Sequence, residues 1–232
     1  MLKLEGAVIR KGGFALTADL EIAPGAKVAV IGPSGAGKST LLEAIAGFQP
    51  LTQGRVLWSG AELTGVLPGK RPVAMLFQDG NLFPHLSARQ NVSLGIDANR
   101  RLTSAEEARV AAALQRVGLT GLEDRRLAEL SGGQQSRAAL ARVLVQARDL
   151  LLLDEPFAAL GPALKAEMLD LVAALVTEGG ATLLMVSHDP ADARRIADQV
   201  VLVAEGRAYP PAPTAAVLDN PPPALRAYLG VG

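Results

Sequence analysis

Two hydrophobic patterns alternate along the chain. Residues 2–22 switch between apolar and polar positions and are interrupted at Gly12-Gly13, which predicts short antiparallel strands. Further on, short and largely apolar runs are typical of strands that are covered on both faces, as in a parallel sheet. These runs lie at 28–31, 72–77, 150–153, 182–187 and 199–203. The pattern predicts an α/β fold with an N-terminal antiparallel β part and a parallel-sheet core.

Residues 81–148 have helical spacing instead. Ser104 and Glu107 have the spacing of a capping box, and apolar residues follow at helical intervals. A second helical stretch covers 134–147. We therefore expect a single domain over 1–232. Its parts are a core of 1–80 and 149–209, a helical subdomain at 81–148, and a proline-rich tail at 210–232 made of loops with a short helix at 224–229.

The composition narrows the class of protein. The 232 residues are 49% hydrophobic, enough for a substantial core, and 23 basic residues balance 23 acidic ones. The net charge is zero and therefore does not favour binding to nucleic acid, so we expect no nucleic-acid partner. The sequence has no cysteine, which excludes a disulfide scaffold and a thiolate metal site. The N-terminus is typical of a strand and not of a signal peptide, and no apolar run approaches the ~18 residues of a membrane span. We expect a chain that is soluble by itself.

A glycine-rich turn joins the apolar run at 28–31 to a helical stretch that starts at Leu41. Strand, glycine turn, Lys-Ser and helix form the arrangement of a P-loop, in which backbone N–H groups surround nucleotide phosphates. We expect Lys38 to reach the outer phosphates and the Ser39 hydroxyl to bind Mg2+. The turn consists of Gly32, Pro33, Ser34, Gly35, Ala36, Gly37, Lys38, Ser39 and Thr40.

An acidic pair, Asp154 and Glu155, directly follows the apolar run at 150–153. The carboxyl end of a buried parallel strand is where α/β sheets place their ligands. We expect Asp154 to support Mg2+, directly or through water, and Glu155 to polarise the water that attacks the terminal phosphate. An acidic turn without function is the alternative, and the upstream P-loop argues against it.

Leu130, Ser131, Gly132, Gly133 and Gln134 form the most specific motif of the sequence. Glycines behind a serine at the start of a helix make a donor-rich site for an anion. Together with the P-loop and the acidic pair, this LSGGQ motif makes the chain resemble the ABC-type ATPases. The resemblance implies that ATP and Mg2+ are bound, and that this motif closes on the ATP held by a second copy of the chain.

The resemblance assigns further residues. Gln78 matches the glutamine that contacts Mg2+ and the attacking water, and His188 matches the histidine that contacts the γ-phosphate. His85 lies in a predicted loop, where we expect it at the surface. The segment 79–85 matches the region that receives a helix from a transmembrane permease. Leu82 and Phe83 are expected to be exposed there, with packing beneath the helical subdomain as the alternative.

Two positions depart from the family pattern. Gly161 replaces the usual aspartate of a Ser-Ala-Leu-Asp sequence, so a carboxylate that links the two sites of a dimer is missing. We expect hydrolysis to survive with weaker coordination, because the main catalytic residues are present. Phe14 is the only aromatic residue before the P-loop. It is a candidate to stack on adenine, with Arg10 and a purely structural Phe14 as alternatives.

The layout resembles the ATPase subunit of an importer at the cytoplasmic face of the plasma membrane. The partners implied are permease subunits and, indirectly, a solute-binding protein. Within importers, the resemblance is strongest to the thiamine branch, on stretches such as 71–78 and 183–188. None of these residues contacts a solute, so another small solute remains open. Two different classes also stay open: a soluble ABC ATPase acting on DNA or ribosomes, and a switch that binds nucleotide without hydrolysis.

Overall fold

The computed structural model describes residues 1–99 and 101–229. The strands of these residues are β1 (Leu2–Lys11), β2 (Phe14–Ile22), β3 (Lys27–Ile31), β4 (Gln53–Trp58), β5 (Ala61–Glu62), β6 (Val73–Leu76), β7 (Leu150–Asp154), β8 (Thr182–Val186), β9 (Gln199–Ala204), β10 (Arg207–Ala208) and β11 (Ala212–Pro213). The helices are α1 (Lys38–Ala46), α2 (Ala88–Ser93), α3 (Ser104–Arg116), α4 (Gly132–Leu144), α5 (Pro162–Gly179), α6 (Pro190–Ile196), α7 (Thr214–Asp219) and α8 (Pro223–Leu229).

The parallel core has the order β9-β3-β8-β7-β6. Every residue of β7 and of β8 is buried, which explains why their sequences are continuous apolar runs and do not alternate. All five strands point the same way, so their carboxyl ends share one edge of the sheet. The loop after β3, the pair at 154 and 155, and His188 after β8 therefore meet there, as the sequence predicts.

An antiparallel part extends the sheet on the other side. Strand β1 pairs with both β2 and β4, and the short β10 joins β2 to β9. The alternation in residues 2–22 is confirmed in β2, because Leu16, Ala18 and Leu20 are buried while the residues between them are exposed. The predicted fold class, a parallel core with an N-terminal antiparallel part, is confirmed.

Hydrophobic side chains form a core on each face of the parallel sheet. Alternate residues of β3 face opposite ways: Val28 and Val30 pack in the cluster that contains α1, whereas Ala29 and Ile31 pack in the cluster that contains α4 and α5. The second cluster also takes in α2 and α3. The three helices between 88 and 144 support the proposed helical subdomain at 81–148.

Local boundaries differ from the sequence predictions. The capping box of α3 uses Thr103 and Glu106, one residue earlier than Ser104 and Glu107, because Thr103 has the extended conformation and accepts from the Glu106 N–H. Helix α4 starts at Gly132, two residues before the expected start. The short helix expected at 224–229 is present as α8. The expectation of loops in the rest of the tail is wrong, since β11 and α7 form there. None of the helices in 1–99 and 101–229 is both long and apolar enough to cross a bilayer.

The buried Arg71 holds the end of α1 to the following segment. Its guanidinium donates to the carbonyls of Ala44 at 3.0 Å and Ile45 at 2.7 Å. It also donates to Val66 at 2.8 Å and Thr64 at 3.2 Å. Burial lowers the pKa of Arg71, and the residue is only 3% exposed. A single cation thus satisfies four carbonyl oxygens, of which those of Ala44 and Ile45 are bonded in the buried interior and those of Thr64 and Val66 in a partly buried position.

We expect Arg71→Leu to lower the free energy of unfolding by about 2–4 kcal/mol, because buried carbonyls lose their donor. Arg55→Leu is the matched control, since Arg55 forms an exposed ion pair with Glu5 and its loss costs at most about 1 kcal/mol. Urea denaturation of both variants measures the difference. Equal losses for the two variants would contradict this role of Arg71.

Candidate nucleotide site

The turn after β3 is shaped by close backbone approach. Gly32 has φ 151°, and a Cβ there would lie 1.9 Å from the carbonyl oxygen of Val203 in β9. Gly37 has φ 101° and precedes α1, and a Cβ there would lie 2.5 Å from the Phe14 ring. Because no side chain fits at either position, the turn stays tight against the sheet. The N-terminus of α1, with its free N–H groups, therefore faces the space above the strand ends.

Lys38 is held inside this turn. Its ammonium donates to the carbonyls of Gly32 and Pro33, both at 2.9 Å, and the residue is 7% exposed. Burial lowers the pKa of Lys38, while the nearby carboxylates of Glu155 and Asp154 oppose that shift. A cation fixed at the base of a ring of backbone N–H groups is suited to an anionic ligand.

Ser39 and Asp154 meet across the sheet edge. The Ser39 hydroxyl donates to Asp154 Oδ1 at 3.0 Å, although the two residues are 115 positions apart. Burial raises the pKa of Asp154, Glu155 and Glu43 add to this shift, and Ser39 and Lys38 oppose it. A buried carboxylate next to a hydroxyl is the hard oxygen donor set that Mg2+ prefers. These two residues therefore fit the metal predicted from the sequence.

Glu155 leaves the strand through an unusual backbone conformation. Its φ is 44°, in the left-handed region that non-glycine residues seldom adopt, and its N–H donates to the Val186 carbonyl at 3.2 Å. This turn carries the carboxylate away from β7. Glu155 Oε2 lies 3.4 Å from His188 Nδ1, so the structure brings these two side chains together. Strain of this kind clusters at functional sites.

A cavity of about 460 Å3 opens above the turn. It unites Phe14, the P-loop, Gln78 and Glu155, which the sequence proposes as site residues. Its lining is Lys11, Phe14, Ser34, Gly35, Gly37, Lys38, Ser39, Thr40, Gln78 and Glu155. Phe14 thus borders the site and also packs on Gly37, while Arg10 is not among these lining residues.

The 131–134 segment does not line this cavity within its own chain. Ser131 caps α4: its hydroxyl accepts from the Gln134 N–H at 3.3 Å, and the Gln134 side chain accepts from the Ser131 N–H at 2.9 Å. Gly133 is buried, and a Cβ there would lie 2.4 Å from the Leu164 side chain. Gly132 borders a neighbouring cleft of about 300 Å3 that also includes Gln78 and Glu155. Ser131 and Gly132 are exposed.

The loop after Gln78 is fixed by two residues that the sequence analysis did not identify. Arg142 of α4 donates to the carbonyls of Gly80 at 2.7 Å and Asn81 at 2.6 Å. Asn91, fully buried, accepts from the Phe83 N–H at 2.8 Å and donates to the Phe83 carbonyl at 3.0 Å. Nothing local in the sequence distinguishes these side chains, because their partners lie on other elements.

The exposure predicted in this loop is correct only in part. Phe83 is 44% exposed and meets the exposed His85 edge to face, with 6.1 Å between ring centroids. The expectation that Leu82 is exposed is wrong, because Leu82 is partly buried against the helical side of the core. His85 is at the surface, as expected.

Gly161 precedes α5 as its N-cap with φ −63° and ψ 156°. Any residue adopts this extended conformation, and nothing lies within 4 Å of a Cβ built at Gly161. The glycine therefore provides no special backbone freedom here. An aspartate would fit at this position, so the departure from the family pattern is the loss of a carboxylate and not a requirement of the backbone.

Comparison with known proteins places this geometry in a family. Residues 16–158 match the model of the ABC transporter family. The chain is 73% identical over 230 residues to the thiamine import ATP-binding protein ThiQ of Ruegeria sp. (strain TM1040), which covers 99% of this chain and 100% of that protein. It is 48% identical over 220 residues to the protein of the same name from Yersinia pestis, covering 95% of this chain and 93% of that one.

Solved structures agree. A dimeric ATP-binding cassette in a post-hydrolysis state with ADP and Pi matches with a TM-score of 0.80 and 28% identity, covering 92% of this chain and 99% of that one. A nucleotide-free cassette from an ABC transporter shares the fold, with a TM-score of 0.85, 24% identity and coverage of 95% and 96%. The chain therefore belongs to the ABC transporter family, and it is one of the family's ATP-hydrolysing cassettes.

Proposed function

We propose that this chain is the ATPase subunit of an importer for thiamine or thiamine phosphates. The assignment of thiamine as the solute rests on one observation, the 73% identity over 99% of the chain to a thiamine import ATP-binding protein. The ATPase activity is supported separately by the cavity in which the P-loop, Gln78 and Glu155 meet. The two parts of the proposal are therefore testable apart from each other.

ATP binding uses residues that the fold already holds in place. The backbone N–H groups of the P-loop and of the N-terminal end of α1 donate hydrogen bonds to the phosphates. Lys38 supplies a buried positive charge to the outer phosphates. Phe14 offers a ring at the border of the cavity for the base. The nucleotide-binding residues proposed are Phe14, Gly32, Pro33, Ser34, Gly35, Ala36, Gly37, Lys38, Ser39 and Thr40 in one copy, and Ser131, Gly132, Gly133 and Gln134 in the other.

Ser39, Asp154 and Gln78 would hold Mg2+. When bound, the ion would neutralise charge on the phosphate oxygens. The Ser39–Asp154 contact shows that the hydroxyl and the carboxylate already converge. Gln78 lies on a loop and lines the same cavity, where it would also contact the attacking water.

Hydrolysis is assigned to Glu155 with His188. The Glu155 carboxylate accepts a hydrogen bond from the attacking water and polarises it toward the terminal phosphorus. His188, 3.4 Å from that carboxylate, holds Glu155 in place and contacts the γ-phosphate. Because both groups sit on loops at neighbouring strand ends, small movements of the β7 and β8 loops control their separation.

The active assembly is a dimer. Each exposed 131–132 segment closes on the P-loop cavity of the other copy, since it does not line the cavity of its own chain. Gly161 provides no carboxylate between the two nucleotide sites of the dimer. We therefore infer that hydrolysis is retained but that the two sites are less strongly coupled. Hydrolysis then removes the γ-phosphate contacts and the dimer reopens.

The dimer works beneath a pair of permease subunits at the cytoplasmic face of the plasma membrane, and a solute-binding protein acts through them. The loop at 79–85 is the proposed docking region, because Phe83 is exposed while Arg142 and Asn91 hold its backbone rigid. A rigid loop attached to α4 transmits the movement of the 131–134 segment.

We expect Glu155→Gln to bind ATP and to remain in the closed dimer, because the amide no longer polarises the water. Gel filtration with Mg-ATP measures the dimer, and phosphate release measures turnover. Glu62→Gln, on the exposed β5, is the control and should behave as the wild type. A Glu155→Gln protein that stays monomeric at saturating Mg-ATP would overturn the dimer mechanism.

We expect tagged Glu155→Gln, purified from native membranes with ATP, to bring a transmembrane permease with it. In vesicles that contain the wild-type complex, thiamine with its binding protein should stimulate ATP hydrolysis severalfold. Stimulation by a polyamine, iron or an anion instead would replace thiamine and keep the importer. Recovery of ribosomal or nucleic-acid proteins without a permease would refute the importer itself.

A further inference from the structure

His188 is bracketed by a buried network. The Ser187 N–H donates to the Val30 carbonyl of β3 at 3.3 Å, and the Ser187 hydroxyl donates to Asp192 Oδ2 at 2.5 Å. On the other side of His188, the Asp189 N–H donates back to the Ser187 hydroxyl at 3.1 Å. The backbone on both sides of the histidine is therefore held, by β3 on one side and by the Ser187 hydroxyl on the other, and this hydroxyl is bonded to Asp192 in the first turn of α6.

Lys165 of α5 anchors this network from outside. Its ammonium lies 2.8 Å from Asp189 Oδ2 and 2.8 Å from Asp192 Oδ1. The Lys165 side chain is 16% exposed and that of Asp192 is 10% exposed. Burial acts to lower the pKa of Lys165, but the hydrogen bonds to Asp189 and Asp192 outweigh it, and the same contact lowers the pKa of Asp189. The lysine is thus charged, and it bridges two carboxylates.

Lys165 lies between two segments that the proposed mechanism moves, the 131–134 segment and the segment that carries His188. It lies in the first turn of α5, where its N–H donates to the Gly161 carbonyl at 2.9 Å. The preceding Leu164 packs against Gly133 of the 131–134 segment. The first turn of α5 therefore contacts both the segment that closes on the other copy and, through Lys165, the segment that carries His188.

Stability alone does not account for this arrangement. Lys165 and Asp192 are largely shielded from water, whereas the Asp189 side chain is 40% exposed. A shielded ion pair recovers little more than the cost of removing its charges from water, and a partly exposed one contributes little stability. Two carboxylates shared by one ammonium hold the 187–192 turn in a single orientation relative to α5. From this geometry we propose that Lys165 is a positioning residue for ATP hydrolysis, which keeps His188 against Glu155 when the 131–134 segment closes on the other copy.

This inference rests on ATP hydrolysis and is independent of the transported solute. We expect Lys165→Met in the full-length chain to lower kcat about 10- to 100-fold, since a catalytic group displaced by about 1 Å loses rates of that order. The KM for ATP should stay within about threefold, because the P-loop contacts are unchanged. Lys165→Arg restores a cation and should recover most of kcat. In the Glu155→Gln background, Lys165→Met should still form the Mg-ATP dimer.

The matched control is Asp170→Asn. Asp170 and Arg195 join the same two helices, α5 and α6, through an exposed pair at 2.7 and 2.6 Å, away from His188. Removing this exposed pair should leave kcat within about twofold.

If Lys165→Met does not fold, Asp189→Asn serves instead, because asparagine keeps the cap on the Ala191 N–H and loses only the charge that Lys165 binds. The proposal fails if the variant used, Lys165→Met or Asp189→Asn, keeps kcat within about twofold of the wild type. It also fails if Asp170→Asn lowers kcat as much, or if Lys165→Arg recovers none of the kcat that Lys165→Met loses.

Discussion

The parallel pairing of β3, β7 and β8 is the constraint on which the site depends. The register places Val30 beside Val186 and Val186 beside Asp154, so three loops leave the sheet at one level. One loop carries the phosphate-binding turn, one the acidic pair and one the histidine. Buried apolar strands cannot slide past each other without exposing their side chains. The same burial that stabilises the core therefore fixes the spacing of the proposed catalytic groups.

Several parts of this arrangement follow from the sequence because the signals are local. An apolar run too short for a helix predicts a buried strand. The glycines at 32 and 37 predict a turn whose backbone N–H groups are not obstructed by side chains. The motif at 130–134 predicts a helix start, and Ser131 and Gln134 form its capping box. The shift at α3 shows the limit of local signals, since Thr103 and Ser104 are both good caps and only the backbone conformation decides between them.

Other residues were beyond prediction because their roles depend on contacts distant in sequence. Lys165 binds Asp189, which lies 24 residues further along the chain, and Arg142 donates to the carbonyl of Gly80, which lies 62 residues earlier. Leu82 follows the same logic, because the helices that half-bury it come later in the chain. Long polar side chains within amphipathic helices give no local sign of which of them face a carbonyl or a carboxylate rather than water.

The 131–134 segment is the basis for the proposal that the site is shared between two copies of the chain. Its hydroxyl and amide groups satisfy the local backbone, while Ser131 and Gly132 stay exposed and do not line the P-loop cavity of their own chain. In the proposed mechanism, a second copy supplies the other wall of the site. Movement would then pass from that wall through α4 to the loop that Arg142 holds, and through the first turn of α5 to His188.

The split site is directly measurable, because the sequence contains no cysteine and introduced cysteines would be the only ones present. We would introduce Ser34→Cys and Ser131→Cys together, one on the exposed P-loop and one at the exposed helix start. Mild oxidation in the presence of Mg-ATP, in the Glu155→Gln background, should yield a covalent dimer on a denaturing gel, and neither single variant should do so by this route. A double variant that remains monomeric, or that links its two cysteines within one chain, would contradict the account.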